Sequence, residues 1–313
     1  MPRGTLRVSA TPPLAGPLLP TVRFPSLARS PEECFREEKK PSGRHWTPGG
    51  GPRYERNMRP FLTATWRYLV MLNYEVDPEV LRPLVPSGTE LDTWQGKSFA
   101  SMVGFRFLDT RVRGLAVPFH RNFDEVNLRY YVRYRGPEGW RRGVAFVKEI
   151  VPRLAIATVA RVLYNEPYVA LPMRHTMEMR SAEQGTPGRL EYAWKAGGRW
   201  QHLSARTRGT PQASAPGSEE EFITEHYWGY TPQRDGGCAE YRVEHPRWSV
   251  WQVDGVELDC DVGGLYGVRF EPFLRRHPSS AFVADGSEVS VYPGTLLPRG
   301  VGGTPGAGVD TAA

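Results

Sequence analysis

A chain of 313 residues that is 40% hydrophobic and 12% aromatic is long enough to bury a sizeable core, in one large domain or two. Its formal charge of +6 sits at one end: ten of the 40 Lys/Arg and five of the 34 Asp/Glu fall in residues 1–57, leaving 30 basic against 29 acidic residues from Met58 onward. That near-neutral remainder argues against a nucleic-acid partner, which needs basic side chains gathered on one face, and no run approaches the roughly 18 to 20 apolar residues of a membrane-spanning helix.

Residues 1–57 contain Pro12-Pro13, many further prolines and the run Gly49-Gly50-Gly51-Pro52, with no sustained period, and read as a disordered Pro/Arg-rich extension. Its prolines would interrupt both the apolar core of a signal peptide and the amphipathic helix of a transit peptide. Met58 is an alternative start, and a single domain is expected over 58–292. There Asp77-Pro78-Glu79 supplies an N-cap, a proline at N1 and an acid in the first turn, predicting a short helix from Pro78 to Leu84. Glu90 to Trp94 and Ser98 to Phe107, joined at Gln95-Gly96, read as a hairpin. Asn122 to Arg135 and Arg142 to Val151 read as strands, while the apolar spacing of Arg153 to Tyr164 is helical. Met173 to Ser181, Arg189 to Ala196 and Gly198 to Thr207 suggest an antiparallel meander that turns at Gly197-Gly198. After a polar loop over Pro211 to Ser218, the run Ser218-Glu219-Glu220-Glu221 resembles a capping box that opens a helix toward Tyr227. More strands reach Tyr292, and the Gly/Pro-rich residues 293–313 should fray. Cys34, Cys238 and Cys260 form no CxxC pair, and Cys238 and Cys260 read as two reduced thiols of a soluble, cytoplasmic protein.

The strand Phe123 to Arg133 carries the most informative pattern, because side chains alternate faces. One face holds Glu125, Asn127, Arg129, Tyr131 and Arg133, and the more apolar set is 124, 126, 128, 130 and 132. Such a polar row is either a solvated face or the lining of a polar cavity. Arg161, Tyr164 and Tyr168 could present a cation and two phenols to a ligand, or pack structurally. Arg174-His175 and the aromatic stretch Glu225 to Gln233, which includes Tyr227, are further candidates. His120, His175 and His226 lack metal-ligand spacing, and neither a nucleophile elbow, a P-loop nor a dinucleotide fingerprint is present, so no metal and no cofactor is expected.

Four segments taken in order, FLTATWRYLVMLNYEVDPEVLRPLVP, VPFHRNFDEVNLRYYV, RRGVAFVKEIVPRLAIATVARVLYNEPY and EFITEHYWGYTPQRDGGCAEYRVEHPRW, resemble the YqjF-like family, domain of unknown function 2071. The resemblance implies an α+β fold similar to acetoacetate decarboxylase: a mostly antiparallel, β-barrel-like sheet with a few short helices around a central cavity. Within it, Phe123-Asp124-Glu125-Val126 resembles the decarboxylase's glutamate-bearing strand, which makes Glu125 the cavity carboxylate. Residues 160–169 resemble its lysine motif, with Tyr168 and Val169 at the two lysine positions. Decarboxylation of a β-keto acid through a Schiff base needs an amine, and a phenol forms no imine. Lys148, the best substitute, reads as an ordinary lysine at a strand margin.

These residues describe a cavity protein for a small anionic or carbonyl-bearing metabolite. Glu125, Tyr168 and Arg161 are the catalytic candidates, and Asn127, Arg129, Tyr131, Tyr164, Arg174, His175 and Tyr227 the ligand contacts. As an enzyme it would be lyase- or isomerase-like, moving protons in an enolisation or hydration without Schiff-base decarboxylation. A non-catalytic ligand sensor or partner-binding module is the alternative, and a homo-oligomer stays open.

Overall fold

Leu62–Glu75 forms strand β1, which organises the sheet because its two halves have different neighbours. The computed structural model describes residues 58–116, 119–153, 165–178 and 188–298, all within the compact unit Pro52–Ala313. The other strands are β2 (Glu90–Leu91), β3 (Phe99–Val112), β4 (Leu115–Ala116), β5 (Phe123–Gly136), β6 (Gly139–Val151), β7 (Tyr168–Ala170), β8 (Met173–Glu178), β9 (Arg189–Ala196), β10 (Arg199–Ala213), β11 (Trp228–Pro232), β12 (Cys238–Glu244), β13 (Ser249–Asp259), β14 (Ser280–Ala284), β15 (Glu288–Val291) and β16 (Thr295–Leu296).

One edge of β1 pairs with β3 along its length, while the other pairs first with β15, at Leu62 to Thr65, and then with β14, at Leu69 to Asn73. The changeover falls where the β1–β3 register shifts between Arg67 and Val70 and where Tyr68 takes a φ of +54°. Through β15 the sheet closes on itself in the order β1, β3, β5, β6, β11, β12, β15, giving a barrel-like ring. Through β14 it continues as β13, β10, β9 and β8. Pairing is antiparallel except where β6 meets β7 and β11.

This continuation of the sheet packs against the ring. Gly104 permits the approach, since a Cβ there would lie 2.8 Å from the Tyr192 ring. Between the layers, Val126, Leu128, Tyr130 and Val132 of β5 meet Leu190, Tyr192, Trp194 and Leu203. A second apolar cluster, including Leu69, Met71, Phe105, Phe107 and Phe123, fills part of the ring, with Phe107 and Phe123 stacked at 4.5 Å.

The helices are short. Pro78–Leu81 runs into a 3₁₀ turn at Arg82–Leu84, and the Asp77 carboxylate accepts from the Glu79 amide at 2.9 Å, as its cap spacing requires. Glu219–Thr224 begins with Ser218 accepting from the Glu221 amide at 3.2 Å, although the Glu221 side chain reaches Gly217 rather than Ser218. Among the described residues no helix is long and apolar enough to cross a membrane.

The expected hairpin before Phe107 does not form as a strand pair. β2 pairs with β5, because both edges of β3 are occupied by β1 and β5; only a Trp94–Lys97 bridge remains around Gln95 and Gly96, whose φ values are +50° and +79°. The chain past Tyr292 also continues in order, pairing Thr295–Leu296 with β12 and burying Leu297. The extension 1–57 and nearly all of the helix expected over Arg153 to Tyr164 lie outside the described residues.

Candidate functional site

The ring encloses a cavity of about 250 Å³. Leu62, Trp66, Phe105, Phe107 and Trp248 form much of its apolar wall. Trp66 sits edge-on to Phe105, Phe107 and Trp248, with centroids 5.4, 5.6 and 6.3 Å away.

The polar wall follows from strand register. Alternation on β5 turns Glu125, Asn127 and Arg129 inward. Asn127 lies opposite Glu149 on β6, and Glu149 lies beside Tyr168 on β7, so three adjacent strands bring an amide, carboxyls and a phenol together. A register shift between β5 and β6 lets Phe146 and Glu149 both line the cavity although they are three residues apart. Glu166, just before β7, supplies a third carboxyl.

Asn127 Nδ2 donates to Glu125 Oε1 at 2.9 Å, and the Tyr168 hydroxyl donates to Glu125 Oε2 at 3.1 Å. Glu166 Oε1 accepts from Thr231 at 2.5 Å and from the Tyr241 hydroxyl at 2.9 Å. The Tyr241 ring reaches this place by lying across Gly229, where any Cβ would occupy the ring's own space. Six buried polar atoms on residues of the wall have no hydrogen-bond partner: Trp66 Nε1, Thr110 Oγ1, Asn127 Oδ1, Arg129 Nε, Glu149 Oε2 and His226 Nδ1. Unsatisfied groups at this density cost stability.

Burial raises the carboxyls against weak compensation. Glu125 is pushed up to about 7, despite hydrogen bonds from Asn127 and Tyr168 and the Arg129 charge. Glu166 is likewise pushed up to about 7, opposed by Thr231 and Tyr241. Glu149 lies well above the carboxylate range, through burial first and then the charges of Glu166 and Glu125. With Glu125 and Glu166 near 7, protonated and ionised carboxyls can coexist in the cluster near neutral pH. Burial, and then the neighbouring carboxylates, also push the Tyr168 phenol upward.

His226 is held differently. Its Nε2 lies 3.2 Å from Asp92 Oδ2, which also accepts from Arg142 Nε at 2.6 Å, and its ring packs beside Tyr131 and Phe222. Burial lowers it to about 4, so it is neutral at physiological pH. Among the described residues no group of three or more His, Cys, Asp or Glu is arranged to hold a metal ion.

Of the residues singled out from sequence, Glu125, Asn127, Arg129 and Tyr168 meet at the cavity. Tyr131 is buried in the apolar cluster, its hydroxyl 2.7 Å from Ser101 Oγ, which donates to Asn73. Arg174 is exposed, stacked 4.2 Å over Trp200, and His175 contacts Asp124 at 2.9 Å on the opposite side of β5. Tyr227 packs on His245 at 4.8 Å and donates to Glu225, with its side chain outside the cavity wall. Arg161 and Tyr164 lie outside the described residues. Lys148 is turned away from the cavity toward the Leu265 carbonyl, and the described wall carries no lysine. Glu149, Glu166, Tyr241 and His226 also line the cavity, which strand parity alone does not reveal. The only sequence signal for Glu149 is an acid embedded in the apolar run Phe146 to Val151.

A family model, DUF2071, described as an uncharacterized conserved protein, matches residues 63–288. The chain is 31% identical over 205 residues to Uncharacterized protein YqjF of Bacillus subtilis (strain 168), an alignment covering 64% of this chain and 78% of that protein. Among solved structures it is similar to acetoacetate decarboxylase from Legionella pneumophila, with a TM-score of 0.52 and 14% identity over 82% of this chain and 94% of that one. It is similar also to the enduracididine biosynthesis enzyme MppR complexed with pyruvate, with a TM-score of 0.53 and 15% identity over 78% of this chain and 93% of that one. At such identities the likeness is one of fold.

Proposed function

This chain belongs to the DUF2071 family, and from that premise we propose that its ring cavity binds a small anionic or carbonyl-bearing metabolite and moves a proton on it, without a Schiff base. The observation that carries the reading is Glu125: a buried carboxylate brought to about 7, accepting from Tyr168 at 3.1 Å and Asn127 at 2.9 Å. A base with a pKa near the working pH is best matched to proton transfer.

In the forward step Glu125 takes a proton from the carbon next to the substrate's carbonyl. The C–H bond breaks, an O–H bond forms on Glu125, and the electron pair passes through the new C=C bond onto the oxygen as an enolate. Once Glu125 is protonated it accepts less strongly from Tyr168, freeing that hydroxyl to donate to the enolate oxygen, with Arg129 adding positive charge. Return of the proton to another carbon or face completes an isomerisation. Tyr168 supplies the hydrogen bond from the position where a Schiff-base enzyme of this fold would place an amine, and the free thiols Cys238 and Cys260 accord with a reducing cytoplasm.

Incubating the protein with a panel of ketones and keto acids in deuterium oxide tests this by NMR. Deuterium should enter the carbon beside the carbonyl of at least one compound, and Glu125→Gln should slow that entry about 10³-fold. No enzyme-dependent exchange anywhere in the panel would sink the reading. The mostly apolar wall also favours a second reading, a non-catalytic ligand sensor or carrier; saturable binding that depends on Tyr168 without exchange would select it.

A further inference from the structure

We infer that the cavity admits an uncharged carbonyl compound with an apolar body and turns away carboxylates, an inference that rests on the acid/base reading and narrows its substrate class. The electrostatic inventory of the wall supports it. Glu125 on β5, Glu149 on β6 and Glu166 just before β7 converge, and Arg129 is the lysine- or arginine-type cation on the described wall. Arg129 is partly engaged already, with Nη2 donating to the Ile223 carbonyl at 3.3 Å and the guanidinium 5.6 Å from the Tyr131 ring. Three histidines, His120, His226 and His245, also line the described wall, of which His226 and His245 are lowered by burial and contribute no positive charge near neutral pH. Against the described wall a ligand carboxylate would therefore enter as a fourth acid in a desolvated acidic cluster with the Arg129 guanidinium to answer it, an arrangement in which buried charge is costly.

A neutral carbonyl oxygen meets the opposite conditions. It is an acceptor, and the polar wall offers it donors: the Arg129 Nε–H, which has no partner, and Glu149, whose Oε2 has none either, in its carboxylic-acid form. An ammonium group fits less well. Both Glu125 oxygens and Glu166 Oε1 already accept from Asn127, Tyr168, Thr231 and Tyr241, and Arg129 would repel it. Beyond the carboxyls, Trp66, Phe105, Phe107 and Trp248 offer faces and edges to an aryl or alkyl body. The pyruvate named for the solved MppR complex is a carboxylate, so this chain would use a similar fold for a ligand of different charge.

Isothermal titration of the full chain near neutral pH with three probes of one skeleton tests the inference: benzylacetone, benzylpyruvate and the amine corresponding to benzylacetone. Benzylacetone should bind at least about tenfold more tightly than either of the others. In the Glu149→Gln/Glu166→Gln variant, or Glu166→Gln alone should the pair fail to fold, benzylpyruvate should gain on benzylacetone by about tenfold. Equal or tighter binding of benzylpyruvate by the unaltered protein, tightest binding of the amine, or no binding of any probe overturns the inference. Deuterium exchange on the bound probe separates this from the parent reading. Exchange of a preferred benzylpyruvate would leave acid/base chemistry standing and remove the charge selectivity, whereas a preferred benzylacetone that never exchanges would do the reverse.

Discussion

Strand β5 has two buried faces of opposite chemistry. Toward the strands β8 to β10 it sends Val126, Leu128, Tyr130 and Val132, which pack with Leu190, Tyr192 and Trp194; the Tyr130 hydroxyl ends on the Leu84 carbonyl. Toward the ring it sends Glu125, Asn127 and Arg129, beside further carboxyls and several unpartnered polar atoms. The first face supplies stability by removing apolar area from water. The second spends some of it, because each carboxyl is shielded from water without receiving a full complementary charge. Both can occupy one strand because the layer behind β5 is well packed and holds the inward row in place.

Substitutions on the two faces should therefore act on different observables. The largest effect on folding is expected at Leu128, which is fully buried between the layers: Leu128→Ala should cost about 3 kcal/mol in urea unfolding. A loss under about 1 kcal/mol would mean that the interlayer contact is loose there.

Glu166→Gln should do the reverse and stabilise the protein above neutral pH. The folded-state pKa of Glu166 is raised from 4.5 to about 7, so its burial is harmless below 4.5 and becomes a growing penalty as pH rises through 7. Glutamine keeps an acceptor for Thr231 and Tyr241 and removes that penalty. The gain should be on the order of 2 kcal/mol at alkaline pH and vanish in mild acid, as read from melting temperature against pH. A gain independent of pH would show that charge is not its cause. At its acid end the stability profile should fall for another reason: neutral His226, lowered from 6.5 to about 4, contributes stability that is lost as pH drops through that interval.

Tyr168→Phe should be the mildest in stability, within about 1 kcal/mol, since it removes one hydrogen bond from a carboxylate that retains Asn127. Its signature is a displaced pH profile. The Tyr168 bond holds Glu125 down, so its loss should move the rise of the deuterium-exchange rate to higher pH. An unmoved profile would separate Tyr168 from the base.

The parity of β5 was legible in the residues alone, and it placed Glu125, Asn127 and Arg129 on one face correctly. It placed Tyr131 there as well, but β5 outruns the cavity, and at that height the same face meets Phe222 and Ser101. Glu149 was hidden because its side of β6 depends on pairing with a distant strand across a register shift, which local alternation does not encode. β1 carries no strand signature for a related reason. Its residues 69–74 are buried on both faces, so hydrophobicity loses the period of two on which a strand is recognised. The short helices, by contrast, were marked by Asp77, Pro78 and Ser218, whose capping is local.

Gly229 has a consequence beyond this one chain. The Tyr241 ring lies where its first side-chain carbon would be, and that ring steers a hydroxyl onto Glu166. Alanine at this place would displace the ring and leave a buried carboxyl short of a donor, so descent with modification should change the three positions together or leave all three alone. A relative with a larger residue there and no glutamate at the matching place would be expected to have kept the ring of strands while giving up the acidic wall.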